Sequence, residues 1–217
     1  MRVHITDDHH LIVEGLKNLL VSNNIEVVGT SSNGVELIAW LQDNTADIII
    51  LDVYMPKLNG IEVLTHFTKN KINQKTILLS SELTKELLEK SHNLGAKGYL
   101  LKEEAYSEII IALQTVYDDD EIFYSKGVKR FIVLEKPTLL EKPLGLDFDY
   151  LESNLSPQEL RVLSLLCKGL NSNEISEKTN ISTSTIRTYL KRAREKLKIK
   201  TNIGLVIGYG EKFKKLT

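Results

Sequence analysis

Asp47-Ile48-Ile49-Ile50-Leu51-Asp52 decides the fold. Four consecutive apolar residues with no polar alternation describe a strand buried on both faces, which is how strands inside parallel sheets read. The flanking sequence repeats one unit around it. Val3–Thr6 is a short apolar run, and His10–Ser22 follows with Leu11, Ile12, Leu16, Leu19 and Leu20 at helical spacing. Ile25–Thr30 is β-rich and Val35–Leu41 helical; Ile61–Phe67 is helical, Thr76–Leu79 β-like, Lys85–Leu94 helical. Gly98–Leu101 is a last short strand before a helix over Ala105–Tyr117. Strand and helix alternate five times, which predicts a doubly wound, five-stranded parallel α/β sheet with helices on both faces.

In such sheets, sites form beyond the carboxyl ends of the strands. The polar residues fall at those ends: Asp7 and Asp8 after the first strand, Asp52 after the third, Ser80 and Ser81 after the fourth, Lys102 after the fifth. Three crowded carboxylates repel unless a cation joins them, and hard oxygen ligands suit Mg²⁺. A carboxylate beside a metal, an ammonium and a hydroxyl is equipped to accept a phosphoryl group. His4, His9 and His10 also raise a metal site, but neighbouring histidines at a strand end and helix start rarely converge, so the expectation leaves them out.

Asp7-Asp8, Asp52-Val53-Tyr54-Met55-Pro56 with Gly60, Ser80, and Gly98-Tyr99-Leu100-Leu101-Lys102 together resemble the receiver domain of two-component response regulators, a flavodoxin-like fold, over residues 1–117. The resemblance implies that Asp52 accepts a phosphoryl group from a sensor histidine kinase. It implies Mg²⁺ ligation by Asp8, by Asp7 mainly through water, by Asp52, and by the backbone carbonyl of Tyr54. Ser80 would be the switch hydroxyl, Lys102 the phosphate-binding cation and Tyr99 the aromatic switch.

The 217 residues carry a net charge of −1 that hides an asymmetry. Residues 1–120 hold 10 basic and 18 acidic side chains, whereas residues 154–217 hold 13 and 5. An acidic front and a basic tail point to two domains, the tail facing phosphate backbone. Asp118–Glu121 ends the periodic region, and Pro137 and Pro143 break regular structure, so a linker is expected over 118–153. Within it Ile122–Leu134 is compatible with a short helix, and Phe131, Ile132, Val133 and Phe148 can pack on either side.

From 154 the signals are helical. Ser156-Pro157-Gln158-Glu159 is a capped start, Gly169 a stop, Asn171-Ser172-Asn173-Glu174 a second start, and Ser182 caps a third helix to about Lys198. On that helix Ile186, Leu190, Ala193 and Leu197 form an apolar stripe, with Arg187, Lys191, Arg194 and Lys198 beside it. With Leu155-Ser156-Pro157-Gln158-Glu159, Leu170–Ile175, Ile186-Arg187-Thr188-Tyr189 and Lys196-Leu197, residues 152–217 resemble the LuxR-type helix-turn-helix, a small all-α domain. The resemblance implies a recognition helix over 184–198. Arg187, Thr188 and Lys191 would read base edges; Ser182, Thr185, Arg192 and Arg194 would contact phosphates. A fourth helix, about Asn202–Phe213, would pair with its copy through Ile203, Val206 and Ile207. Tyr189 stands where that family commonly has His.

One cysteine, Cys167, excludes an internal disulfide and suits a reducing cytoplasmic compartment. The first eight residues hold too short an apolar run for a signal peptide, and no run approaches a membrane span of about 18 residues. The expectation is therefore a cytoplasmic response regulator with no enzymatic turnover. Its partners would be a sensor kinase, double-stranded promoter DNA, a second copy when phosphorylated and, in an activator, RNA polymerase, with no membrane. The rival is a pseudo-receiver governed by protein contacts alone, against which the complete acidic triad and Lys102 argue. An aspartyl-phosphate phosphatase is opposed by Tyr54, where a second catalytic aspartate would stand, and an RNA-binding output by the lack of an aromatic stacking platform.

Overall fold

The computed structural model describes residues 1–119, 122–135, 151, 153–199, 202, 204–206, 208 and 209. The chain divides into two compact units, Met1–Glu135 and Lys136–Thr217.

The first unit is a parallel sheet in the order β2-β1-β3-β4-β5-β6. Its strands are β1 (Arg2–Thr6), β2 (Glu26–Ser31), β3 (Ile48–Asp52), β4 (Lys75–Ser80), β5 (Gly98–Leu101) and β6 (Phe123–Tyr124). Helices α1 (His10–Ser22), α2 (Gly34–Asp43), α3 (Gly60–Lys69), α4 (Lys85–Asn93) and α5 (Lys102–Asp119) connect them. All five residues of β3 are buried, as its uninterrupted apolar run requires. Ile48 and Ile50 pack with Val13, Leu16 and Leu20 of α1 and with Ile109, Leu113 and Val116 of α5. Strand alternation sends Ile49 and Leu51 to the opposite face. Asn33, Asn59 and Thr84 cap α2, α3 and α4 with their side chains.

The sheet has one strand more than the sequence pattern predicts, and residues 122–135, the early part of the expected linker span, fold as β6 and a helix. Phe123 and Tyr124 pair with Gly98 and Tyr99 of β5, and α6 (Lys126–Glu135) follows. Two residues are too short to show a period, so the strand is invisible to pattern reading. Burial and capping hold it. Phe123, Tyr124, Val128 and Ile132 are buried, and the Glu104 carboxylate accepts from Gly127 N at 2.8 Å and from the Ser125 hydroxyl. The short helix expected within 122–134 is thus α6, packed on the receiver unit. Ile132 lies in that unit, while the side chain of Val133, and Phe148 altogether, fall outside the described residues.

The second unit is helical: α7 (Pro157–Cys167), α8 (Ser172–Thr179) and α9 (Thr183–Leu197). Ser156 with Glu159 and Asn171 with Glu174 form reciprocal capping boxes, each satisfying two orphan backbone donors. The apolar stripe of α9 is buried. Ile186 and Leu190 meet Val162 and Ile175, and Ala193 and Leu197 meet Leu163, Cys167, Leu205 and Tyr209. Burial pushes the Cys167 thiol up to about 12, so it behaves as a small apolar group. Of the expected fourth helix, residues 202, 204–206, 208 and 209 are helical; Ile203, Ile207 and residues 210–213 lie outside the described residues. Among the described residues no helix is long and apolar enough to cross a membrane.

His4, in the middle of β1, is a buried polar group. Its Nε2 shares a hydrogen bond with Ser31 Oγ at 2.9 Å, its Nδ1 has no hydrogen-bond partner, and the ring lies 4.2 Å from that of Trp40. Burial pushes its pKa down to about 4. The unfolded chain binds that proton near about 6.5, the native chain does not, so stability rises with pH between those values. The contribution is whole above about pH 6.5 and declines as pH falls towards 4, by roughly 3 kcal/mol. Denaturant unfolding followed by Trp40, the single tryptophan, should show this extra acid sensitivity in the wild type and not in His4→Gln. Equal slopes would exclude His4 as its source.

Candidate functional site

The strand order brings the carboxyl ends of β1 and β3 side by side, and β5 supplies the first residue of α5. Lys102 Nζ consequently lies 2.8 Å from Asp7 Oδ2 and 2.8 Å from Asp52 Oδ2. Both carboxylates are buried, and these two oxygens accept no well-formed hydrogen bond beyond that ionic contact. Asp8 stays one-third exposed at the rim. The Asp7 side chain turns the chain out of β1: its Oδ1 accepts from His9 N at 2.9 Å.

One ammonium between two buried carboxylates leaves negative charge in excess. Burial, opposed by Lys102 and assisted by Asp7, pushes the Asp52 carboxyl up to about 6. On Lys102, burial acts downward, but Asp52 and Asp7 outweigh it and hold the ammonium above its ordinary value. The buried carboxylates of Asp7 and Asp52, which share one ammonium, and the rim carboxylate of Asp8 fit a hard divalent cation. These donors, and His9 with them, all lie within 4.8 Å of one another.

The switch residues adjoin this pocket. Tyr54 N donates to Asp52 Oδ1 at 3.3 Å, which sets the Tyr54 peptide beside the carboxylate. The Tyr54 ring is half exposed and its hydroxyl donates to Glu82 Oε2 at 2.7 Å. Ser80 is fully buried and its Oγ accepts from Glu82 N at 3.1 Å. Tyr99 points inward, and its hydroxyl donates to the Glu82 carbonyl at 2.8 Å. Glu82 therefore ties Tyr54, Ser80 and Tyr99 together. Its place two residues after Ser80 is its only mark in the sequence. His9, which the expectation leaves out, is swung back over the pocket by the Asp7 turn. His4 and His10 do not join it.

On α9, Thr188, Lys191 and Arg192 are exposed and Arg187 is half-buried. Ser182 caps the helix: its Oγ accepts from Thr185 N at 3.2 Å and clusters with the Ser184 and Thr185 hydroxyls. Arg194 is half-buried, and its Nη1 donates to Asn202 Oδ1 at 2.6 Å, so part of its guanidinium braces the following segment. The cause is helix geometry: seven residues beyond Arg187, it shares that stripe but sits two turns nearer the chain returning after α9.

An acidic pocket at the strand ends of a parallel α/β unit, joined to a helix-turn-helix, defines a signal-receiving transcription regulator. Residues 3–114 match the family model for the response regulator receiver domain, and residues 153–207 that for bacterial regulatory proteins of the luxR family. Response regulator UvrY of Escherichia coli (strain K12) is 30% identical over 207 residues, covering 94% of this chain and 91% of UvrY. The DNA-binding transcriptional activator EvgA of the same strain is 30% identical over 205 residues, covering 94% of this chain and 95% of EvgA. Two RcsB dimers bound to two parallel DNAs form a similar solved structure, with TM-score 0.56, 28% identity and 96% of each chain covered. RcsB of Salmonella enterica serovar Typhimurium, solved on a promoter with the phosphomimetic BeF3−, matches with TM-score 0.56 and 28% identity over 97% of this chain and 98% of that one. The chain belongs to the response regulators that carry a luxR-type DNA-binding domain.

Gly60, the first residue of α3, donates its N–H to Val53 O at 3.0 Å, and a Cβ there would overlap the carbonyl oxygen of Asp52. Gly60→Ala must push the end of β3 aside. We expect a stability loss of about 1–3 kcal/mol by denaturant unfolding. Full stability in that variant would mean that β3 ends elsewhere.

Proposed function

We propose that Asp52 is the phosphoryl acceptor, that a sensor histidine kinase is the donor, and that the modified receiver favours a dimer bound to promoter DNA in the cytoplasm. The observation that carries this reading is the single Lys102 ammonium bridging two buried carboxylates. An Asp52 oxygen attacks the phosphorus of the donor's phosphohistidine, the P–N bond breaks, and an acyl phosphate forms. Asp7, Asp8, Asp52 and the Tyr54 carbonyl would hold Mg²⁺, which supplies charge neutralisation for the phosphoryl oxygens. Lys102 then pairs with a phosphoryl oxygen. The added charge of about −1.5 to −2 draws the Ser80 hydroxyl off the Glu82 amide to donate to the phosphoryl group. That shift removes one of the contacts through which Glu82 holds Tyr99 in its present position, so the receiver face beside β5 changes. A near-complete switch needs the dimeric state favoured by roughly 5.5 kcal/mol.

In the output domain, Arg187, Thr188 and Lys191 face base edges, and Ser182, Thr185 and Arg192 face phosphates. Recruitment of RNA polymerase fits an activator of this design.

Asp52→Asn should take up no stable phosphate from acetyl phosphate plus Mg²⁺, while still unfolding in one cooperative Trp40 transition. Wild-type incorporation in the variant would refute the assignment, and a wild type that takes up none would favour the pseudo-receiver.

The two arginines of α9 should separate. Arg187→Ala flattens preference at one base position, since a bidentate guanine contact discriminates by roughly 1–3 kcal/mol. Arg192, about 140° around the helix, should act uniformly on all sequences, and its loss should lower the salt slope by about 0.9. Binding-site selection with salt titrations checks both. Unchanged base preference in Arg187→Ala would show that α9 docks otherwise.

A further inference from the structure

We infer that His9 is a nitrogen ligand of the acidic pocket, so that the site prefers late first-row divalent cations to Mg²⁺; the inference rests on the receiver reading of Asp7, Asp8 and Asp52. Its Nδ1 lies 2.8 Å from Asp8 Oδ1, 3.1 Å from Asp7 Oδ1 and 4.0 Å from Asp52 Oδ2. Around a small divalent cation with donors about 2.1 Å away, neighbouring donors lie about 3.0 Å apart and opposite donors about 4.2 Å apart. The three separations match two neighbouring positions and one opposite position. Each contact also joins a different carboxylate, so the imidazole sits over the gap among all three.

The contacts of Nδ1 conflict without a cation. Two carboxylate oxygens ask it to donate, while Lys102 Nζ at 3.4 Å asks it to accept. A divalent cation takes the Nδ1 lone pair and the carboxylate charge together. It also takes up the negative charge left over at the buried Asp7 and Asp52 carboxylates, whose Oδ2 atoms share one ammonium, Lys102, at 2.8 Å each. The position is set by the fold, because the Asp7 side chain fixes the His9 backbone at 2.9 Å. The imidazole is itself mostly exposed, so it can swing onto a cation without disturbing the core. Nitrogen donors discriminate by metal: imidazole adds little for Mg²⁺, which favours oxygen, and much for Co²⁺, Ni²⁺ or Zn²⁺.

The test is calorimetric titration of the full chain with Mg²⁺ and with Co²⁺ at one fixed pH, for wild type, His9→Ala and Asp8→Asn. Wild type should bind Co²⁺ at least tenfold more tightly than Mg²⁺. His9→Ala should lose at least tenfold in Co²⁺ affinity while its Mg²⁺ affinity stays within about twofold. In the Co²⁺-loaded wild type, proton NMR should show a far-shifted, exchangeable imidazole N–H that is missing from His9→Ala. Equal Co²⁺ affinity in the two, or a shifted N–H that persists in the variant, overturns the inference while leaving the receiver reading intact. If Asp8→Asn changes neither titration, the pocket is not a cation site and both fall.

Discussion

The Lys102 ammonium is the constraint on which the receiver unit turns. It reaches 2.8 Å from the Asp7 carboxylate at the end of β1 and 2.8 Å from the Asp52 carboxylate at the end of β3, from a position that opens α5. Three elements distant in sequence are therefore tied at one point. The tie is electrostatically incomplete, because one positive charge faces two buried negative ones. Burying ionised carboxylates is costly unless they are paired, and the elevated Asp52 carboxyl, at about 6, records that cost. A core optimised for stability alone would avoid this arrangement. The excess is what a bound cation would relieve, and on the proposed reading that cation would also offset the negative charge a phosphoryl group adds.

The parts of this design legible in the sequence are those with a period or a repeated position. The apolar run 48–51, the strand–helix alternation and the charged residues at strand ends all announce a parallel sheet with a site on one edge. The capping signals at Ser156, Asn171 and Ser182 did the same for the output helices, because a cap is a local chemical requirement. What stayed hidden depends on contacts rather than pattern. Strand β6 is two residues long, and its place is fixed by Glu104, twenty residues upstream. His9 joins the pocket through a turn made by a single side-chain hydrogen bond. Arg194 is indistinguishable from its stripe neighbours on a wheel, yet Asn202 engages it. None of these leaves a signal in hydrophobic periodicity.

The output unit applies the same economy of charge at lower stakes. Glu159 is buried, but it is paired with Lys196 at 2.7 Å and accepts from Ser156 N at 2.7 Å. Burial acts upward on that carboxyl, and Lys196 and Ser156 outweigh it, so its pKa falls below the ordinary value. One residue thus caps α7 and clamps α7 to α9. Breaking it would leave a buried carboxylate without its cation, and the angle of α9 rests partly on this contact. Asp52 and Glu159 are both buried carboxylates held by a lysine, with pKa values displaced in opposite directions. Burial acts upward on both; on Asp52 it prevails, with Asp7 adding to it, whereas on Glu159 Lys196 and the Ser156 donors outweigh it.

That contrast bears on how the pocket reaches the connector. Lys102 and Glu104 lie in the same first turn of α5, and Glu104 accepts from Ser125 and Gly127 at the start of α6. Leu101 N in turn donates to Ser125 Oγ, and Ser125 N donates to the carbonyl of Tyr99. The residue that carries the charge imbalance and the buried aromatic beside it are therefore each within a few bonds of Ser125. Residues one and three of a helix turn hold a fixed relation set by the helical geometry, so the Lys102 and Glu104 side chains leave α5 from one rigid turn. A connector joined to the sheet only by its chain would have no such dependence. Anchoring β6 and α6 on Glu104 ties the end of the receiver unit to the same helix turn that carries Lys102.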